Sequence, residues 1–363
     1  MKISPDSGRR GIALIIVMVT IFVLAVLAGA FALSMKVETK LARNAGSETE
    51  LEWLGRSGVE LAKYVLALQL NVPNEPYDSL NQIWAGGPGS LNSSNSPLSN
   101  ISLKDHRLGN GTYSVKITDL EQKMNINAAA GSQEVLGQAF ILMGVDAGEY
   151  PQIVAAIQDW IDPDDDPHIG GAESSYYEGL VPAYNAKNGP IDDLSELLLV
   201  KGITPEMYWG SASGNARSSV VQPKNPFSPP GQTSYSAGLV ELFTPISNGR
   251  ININTASATT LQMIPGIDQN MAQAIIMQRS GLDGMDGTED DTPIGGLGGS
   301  VQGALQAATG NPNSGQLARF FDVRSQTFEV EVDAEISGYK RTFVAIVARN
   351  NPQDVQVLTF RWK

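Results

Sequence analysis

The sequence predicts an α+β fold: one long N-terminal helix packed with an antiparallel sheet, and a large α-helical domain inserted into that sheet. Three observations carry this prediction. The chain has no charged side chain from Gly11 to Met35 and no proline from Lys36 to Leu70. Strand-like alternation occurs once at 111–119 and returns only after residue 327. Between those places the pattern is mainly helical, over roughly 200 residues.

The first segment is long enough to cross a bilayer. At 1.5 Å per residue, the uncharged run exceeds a hydrocarbon thickness of roughly 30 Å. It is also longer than the apolar region of an ordinary secretory signal, although Ala28, Ala30 and Ala32 mimic a small-residue cut site. Lys2, Arg9 and Arg10 precede it, opposed only by Asp6. The positive-inside rule therefore keeps the N-terminus cytoplasmic and sends the bulk of the chain across the inner membrane.

Beyond the lipid the helix becomes amphipathic. Leu51, Leu54, Gly58, Leu61, Val65 and Leu68 recur at three-four spacing, and Glu48, Glu50, Glu52, Arg56, Glu60 and Lys63 form the solvated face. Gly46, Gly55 and Gly58 oppose helix formation, each by about 1 kcal/mol relative to alanine. Pro73 ends the helix, because the residue before a proline is pushed out of the α region.

Residues 86–100, GGPGSLNSSNSPLSN, read as loop. In GTYSVKITD, 111–119, Tyr113, Val115 and Ile117 alternate with polar neighbours. Phe328, Val330, Val332, Ala334 and Ile336 form the matching face of a second strand, a turn follows at Ser337 and Gly338, and further strands run over 342–348 and from Val355. Their short connections imply antiparallel pairing.

The helical stretch contains an internal echo. MNINAAAG from Met124 and ININTAS from Ile251 each lead into a helix, a glycine turn at Gly144 or Gly266, and a second helix. The second copy resembles a helix-hairpin-helix motif, with Pro265, Gly266 and Ile267 at the hairpin. DNA-binding hairpins hold phosphate on backbone amides with basic residues nearby. Here Asp268 follows the turn and Arg279 is the sole strong base in the next helix, on a chain of net charge −13. That pattern argues for a packing unit and against nucleic acid.

The densest chemical feature is DWIDPDDDPHIGGAESSYYEG, 159–179, with five aspartates in eight residues followed by Glu173. An oxygen-rich, sulfur-free cluster suits a hard cation such as Ca²⁺, while a solvated acidic turn is the bland alternative. Pro163 and Pro167 stiffen the loop, and like charges held together need a counter-ion if partly buried. A second acidic loop, GLDGMDGTEDDTP from Gly281, carries Asp283, Asp286, Glu289, Asp290 and Asp291, and its glycines favour flexible, ion-free exposure. The chain has no cysteine and only His106 and His168, which excludes disulfides, thiolate chemistry and a multi-histidine metal centre. No Gly-x-Ser-x-Gly, Walker or His-Glu-x-x-His sequence is present. Crowded carboxylates alone do not distinguish an acid, a base and a nucleophile, so catalysis has no positive support.

These segments together resemble a known family. The basic leader ending at Gly11, followed by an apolar helix, is similar to a type IV pilin-like signal cut between Gly11 and Ile12. Most such chains keep a glutamate five residues after the cut, and this one has Ile16. That departure, with DWIDPDDDP, GAESSYYEG, IDDLSELLLVKGIT and ININTAS, resembles the atypical minor pseudopilins K of type II secretion systems. The resemblance implies a type IV pilin-like fold with a leader at 1–11, a transmembrane helix at 12–35, and helix extension, loop and first strand at 36–123. It further implies a helical insert at 124–320 and the closing strands at 321–363.

The same resemblance implies cleavage at Gly11 by a prepilin peptidase, N-methylation of Ile12, and a noncatalytic subunit anchored in the inner membrane with a periplasmic globular part. Such a subunit initiates and caps the pseudopilus tip. Its partners are the minor pseudopilins I and J, and other pseudopilins through the N-terminal helix. A tip subunit has no neighbour ahead whose terminal amine needs neutralising, which accounts for Ile16. The implied cofactor is calcium, with Asp159, Asp162, Asp164, Asp166 and Glu173 as candidate ligands from the matching segment. The competing readings are a membrane-anchored helix-hairpin-helix DNA-binding protein of a competence or type IV pilus system, and a calcium-dependent periplasmic hydrolase.

Overall fold

The computed structural model describes residues 9–89, 97–210, 235–296, 299–310 and 314–363. Residues 1–8 of the expected leader, 90–96 of the first loop and 297–298 of the loop after Gly281 lie outside the described residues.

Helix α1 runs unbroken from Arg9 to Gln69, 61 residues, or about 90 Å at the helical rise. Its apolar half, from Ala13, is long and apolar enough to cross a membrane. Its second half packs on a five-stranded antiparallel sheet of order β1-β2-β7-β8-β9. The strands are β1 (His106–Leu108), β2 (Gly111–Asp119), β7 (Thr327–Ile336), β8 (Tyr339–Asn351) and β9 (Asp354–Trp362). Val115 faces Val332 and Ile117 faces Val330 across the β2–β7 pair. These side chains join Phe328, Ala345 and Val347 in a core closed by Leu51, Leu54, Val59, Ala62, Val65 and Leu66 of α1. The buried stripe of α1 is thus rotated slightly from the expected one, with Leu61 and Leu68 at its margin.

Two of the three helix-disfavouring glycines of α1 have a packing reason. A Cβ at Gly55 would lie 2.5 Å from the Phe343 ring, and one at Gly58 would lie 2.4 Å from a Val332 methyl. Their absence lets helix and sheet approach. Between β7 and β8, Ser337 and Gly338 both have positive φ, 50° and 83°, the backbone of a tight two-residue hairpin turn. The short edge strand β1 was not expected, because His106–Leu108 lacks alternation, and β8 extends beyond 342–348 at both ends.

The second body lies between β2 and β7 and has its own core, with Phe140, Leu136, Ile157, Tyr177, Phe243, Leu261 and Ile275 among its buried residues. The repeated segments have the same local plan. In the first, β3 (Met124–Asn125) leads through α2 (Ile126–Ala130) to α3 (Gln133–Met143) and α4 (Tyr150–Ile161). After α5 (Ser174–Tyr177), α6 (Pro205–Trp209) and α7 (Leu239–Leu242), β4 (Phe243–Thr244) pairs in parallel with β3.

In the second, β5 (Ile251–Asn252) leads to α8 (Ala258–Gln262) and α9 (Gln269–Arg279), and α10 (Val301–Thr309) and α11 (Ser314–Ala318) follow. Then β6 (Phe321–Asp322) pairs in parallel with β5. Gly144 and Gly266 both adopt positive φ at the turns, while Ser132 and Ser257 cap α3 and α8. Phe321 is buried in the second core, so the inserted body continues through Asp322 and past the expected boundary at 320.

A buried polar network joins the two bodies where the chain leaves β2 and returns to β7. Asp78 pairs with Arg349, each side chain 1% exposed. Arg349 also donates to the Ser325 carbonyl at 2.6 Å and stands over the Phe328 ring. The Asp119 carboxylate accepts from the Thr255 and Ser325 hydroxyls at 2.5 and 2.6 Å, and from Asn252 at 3.2 Å. Glu121 accepts from the Gln326 amide at 3.0 Å and the Asn248 side chain at 3.2 Å. Burial, reinforced by the Asp119 charge, pushes Glu121 up to about 8, and burial pushes Asp119 up to about 6 despite its hydrogen bonds.

Two expectations follow. Gly58→Leu should destabilise the globular part by about 1–3 kcal/mol through overpacking, whereas Gly46→Ala, with nothing within 4 Å of the added carbon, should stabilise it by up to about 1 kcal/mol. Chemical denaturation of the full chain in detergent reads both, and equal effects would refute the packing argument. Second, an acid whose pKa is raised on folding holds a proton that the unfolded chain releases. Stability should therefore fall as pH rises from the ordinary glutamate value of 4.5 to about 8. Glu121→Gln should flatten that slope in melting curves, and an unchanged slope would exclude Glu121 as its source.

Candidate metal centre

The acidic loop grows out of the last turn of α4. Asp159 is 0% exposed and does not face open space. Its Oδ1 accepts from the His168 backbone amide at 3.1 Å and the His168 ring Nδ1 at 2.5 Å, and its Oδ2 accepts from the Ala172 amide at 2.6 Å. This carboxylate therefore folds the loop back onto the helix. The close return requires glycine at 171, where a Cβ would fall 2.0 Å from Asp159 Oδ2. The hydrogen bond to Asp159 raises the His168 pKa above its ordinary value, against the smaller opposing effect of burial.

That fold brings Asp162, Asp164 and Glu173 together, with one carboxylate oxygen from each lying within 4.8 Å of the others. Asp162 ends α4, and Glu173 occupies the N-cap position of α5 without capping it. Glu173 is 2% exposed, yet neither of its carboxylate oxygens has a hydrogen-bond partner, and Asp162 Oδ1 is likewise buried and unpartnered. Burial, with the charges of Asp159, Asp162, Asp165 and Asp164, pushes Glu173 up to about 7, and burial also raises Asp162.

The His168 ring lies 3.7 Å from Asp162 Oδ2, while the neighbouring lysines are engaged elsewhere. Lys201 donates to the Gly170 and Gly171 carbonyls at 3.1 and 3.0 Å. Lys187 pairs with Asp192 and Glu196 at 2.6 and 2.8 Å. Buried oxygens that face one another without donors leave a deficit of positive charge, and a hard cation with oxygen ligands removes it.

Of the five residues singled out in the sequence, three converge. Asp159 falls with Asp162 and His168 in a second group whose ligand atoms also lie within 4.8 Å of one another, although both its oxygens bind the loop, and Asp166 is exposed and belongs to neither group. Asp165, not singled out, accepts from Ser174 and Asn188 at 3.0 Å each. Sequence reading also missed Asn188, 15 residues beyond Glu173 and held at φ 49°. Its Nδ2 donates to the Asp164 carbonyl and Asp165 Oδ1, both at 3.0 Å. A left-handed asparagine in NG is ordinarily read as a turn, so nothing local pointed to the acidic loop.

The other acidic loop is largely exposed, as its glycines lead one to expect, but its carboxylates are held by local donors. Asp290 accepts from the Leu282 and Asp283 amides at 2.7 and 3.1 Å, and Asp291 from the Gly287 amide at 2.8 Å. Asp286 binds Arg279 at 2.6 Å. Its hydrogen bonds are internal, in contrast with the unpartnered oxygens of Glu173. The helix-hairpin-helix is built as expected, with Ile267 buried and Asp268 capping α9. Arg279, however, is 4% exposed and is held by Asp286 and by the Ile253 carbonyl at 2.6 Å. The base on α9 is thus part of the interior.

Comparison with known proteins agrees with this division. A family model described as type II secretion system, protein K, matches residues 115–210, and a helix-hairpin-helix model matches 247–290. The putative type II secretion system protein K of Escherichia coli K12 is 29% identical over 217 residues, 56% of this chain and 61% of that protein. The Klebsiella pneumoniae protein K is 26% identical over 55% of this chain and 60% of its own length. The chain thus aligns with somewhat under two thirds of these two relatives.

The Pseudomonas aeruginosa protein K is 24% identical over 331 residues, 88% of this chain and 84% of that protein. Among solved structures, the GspK-GspI-GspJ complex of the enterotoxigenic Escherichia coli type 2 secretion system contains a chain of similar fold. Its TM-score is 0.62 at 20% identity, covering 89% of this chain and 99% of that one. By the protein K model over 115–210 and by these relatives the chain is similar to the type II secretion system protein K family, and the solved complex contains a chain of the same fold.

Proposed function

We propose that this chain is a noncatalytic minor pseudopilin that initiates and caps the tip of a periplasmic pseudopilus in type II protein secretion. The observation that carries the reading is the placement of the inserted body. It leaves the sheet after Asp119 and returns at Thr327, beside the C-terminal end of α1, where Arg349 donates to the Leu66 carbonyl. That end is remote from the apolar half of the helix. A bulky domain there obstructs a further subunit above, while the exposed apolar half remains available to neighbouring stems below.

Ile16, exposed in that half, supports the same reading. An intramembrane carboxylate is costly without a partner, and a subunit with nothing ahead of it has no use for one. The reading includes removal of the leader between Gly11 and Ile12 by a prepilin peptidase, N-methylation of Ile12, and a single inner-membrane span with the N-terminus cytoplasmic and the globular part periplasmic. The solved structure of similar fold is a complex with GspI and GspJ, and pseudopilins I and J are the partners proposed for this chain. Calcium is the proposed cofactor, held by Asp162, Asp164 and Glu173. It would neutralise the facing carboxylates and fix the loop between α4 and α5, a structural role.

Full-length chain coexpressed with the I and J pseudopilins of the same system should purify in detergent as a stoichiometric complex. A protein that stays monomeric at every ratio tested would overturn the tip assignment. Salt-sensitive, submicromolar DNA binding would instead support a membrane-anchored DNA-binding protein, a reading that the buried Arg279 disfavours.

Calcium should raise the melting temperature of the globular part and chelation should lower it, by the equivalent of about 2.7 kcal/mol at a hundredfold excess over Kd. Glu173→Gln should weaken that response. Identical melts with calcium and with chelator would remove the cation from the account.

A further inference from the structure

Half of the buried side-chain polar atoms without a hydrogen-bond partner among the described residues belong to the acidic carboxylate group or to a residue hydrogen-bonded to its loop. They are Asp162 Oδ1, both Glu173 oxygens and Asn188 Oδ1, four of eight. The first three belong to the carboxylate group described above. The fourth comes from a different segment, and its surroundings determine which end of the amide is oxygen. Asn188 Nδ2 lies 3.0 Å from both the Asp164 carbonyl and Asp165 Oδ1. Turning the amide over would set an oxygen against those two acceptors, so hydrogen bonding fixes the orientation. The carbonyl end is then buried beside the acidic loop with nothing to accept.

Resting on the reading of this site as a calcium centre, we propose that Asn188 supplies a neutral oxygen ligand to the cation held by Asp162, Asp164 and Glu173. Ca²⁺ takes six to eight oxygens and accepts amide carbonyls alongside carboxylates, so a neutral ligand adds coordination without adding charge to a crowded acidic loop. The left-handed backbone at Asn188 presents the side chain there, a conformation that asparagine tolerates better than most residues.

The consequence reaches beyond the loop. Lys187, the preceding residue, is paired with Asp192 and Glu196, and Asp193 lies 3.5 Å from Arg361 on β9. A ligand at 188 makes the ion the fastener of a segment that runs from the acidic loop to the edge of the sheet.

Terbium(III) in place of calcium tests this on the full chain in detergent, because luminescence lifetimes in H₂O and D₂O count the waters on the bound ion. Asn188→Ala should admit about one additional water and weaken calcium binding at least tenfold, within the range for loss of a metal-site partner. Asn188→Asp, which keeps an oxygen at that position, should restore the wild-type water count and bind calcium more tightly than the alanine variant.

A purely structural amide predicts the opposite order, since aspartate loses the two donated hydrogen bonds and adds repulsion toward Asp165. Alanine binding as tightly as wild type with unchanged hydration, or aspartate binding more weakly than alanine, overturns the ligand role while leaving the centre intact. Absence of terbium and calcium binding by the wild-type chain overturns the centre itself and this proposal with it.

Discussion

The architecture depends on making one buried crossing of charged groups tolerable. To insert more than two hundred residues between neighbouring strands, the chain must leave the sheet and return through the same small region, carrying Asp119 and Glu121 into the interior near the buried Asp78. Ionised carboxylates are costly to bury without compensation. Arg349 meets Asp78, while the hydroxyls of Thr255 and Ser325 and the amide of Asn252 converge on Asp119. These partners come from both bodies, so the two cores are joined by a requirement to satisfy polar groups as well as by apolar contact. Removing one member would leave the others buried and exposed to the full desolvation cost.

Three acidic groups in one chain illustrate how local donors determine what a carboxylate does. At the crossing they are matched by hydroxyls, amides and a guanidinium. In the loop after Gly281 they are matched by backbone amides and by Arg279, and the exposed chain wraps around its own side chains. Among the described residues, only in the loop after α4 do buried carboxylate oxygens face one another without donors. The number of aspartates is similar in the two loops, and the geometry of their donors separates them.

The sheet was legible because period-two alternation at Val115, Ile117, Val330 and Val332 records burial on one face directly. The long helix was legible because it lacks proline and carries a continuous apolar pattern. Its glycines were misleading in isolation: Gly55 and Gly58 read as helix-weakening until the Phe343 and Val332 side chains that occupy the missing volume are seen. The paired two-residue strands β3–β4 and β5–β6 were not legible. Each is too short for periodicity, and the partners are separated by 119 and 70 residues from first position to first position.

At the candidate metal centre, composition pointed to the loop but could not distinguish Asp159, whose oxygens accept backbone amides, from Glu173, whose oxygens have no donor. Asn188 was invisible for the same reason as the short strands, since its relation to the loop exists only in three dimensions.

The unbroken course of α1 has a mechanical meaning. Backbone hydrogen bonding continues from the apolar half into the part clamped against the sheet by Gly55 and Gly58, with no loop between them to act as a swivel. Torque applied to the lower half is therefore carried to the head: if neighbouring stems turn the shaft about its axis, the inserted body sweeps around with it. The bearing of the head would then report the angular setting of the whole rod.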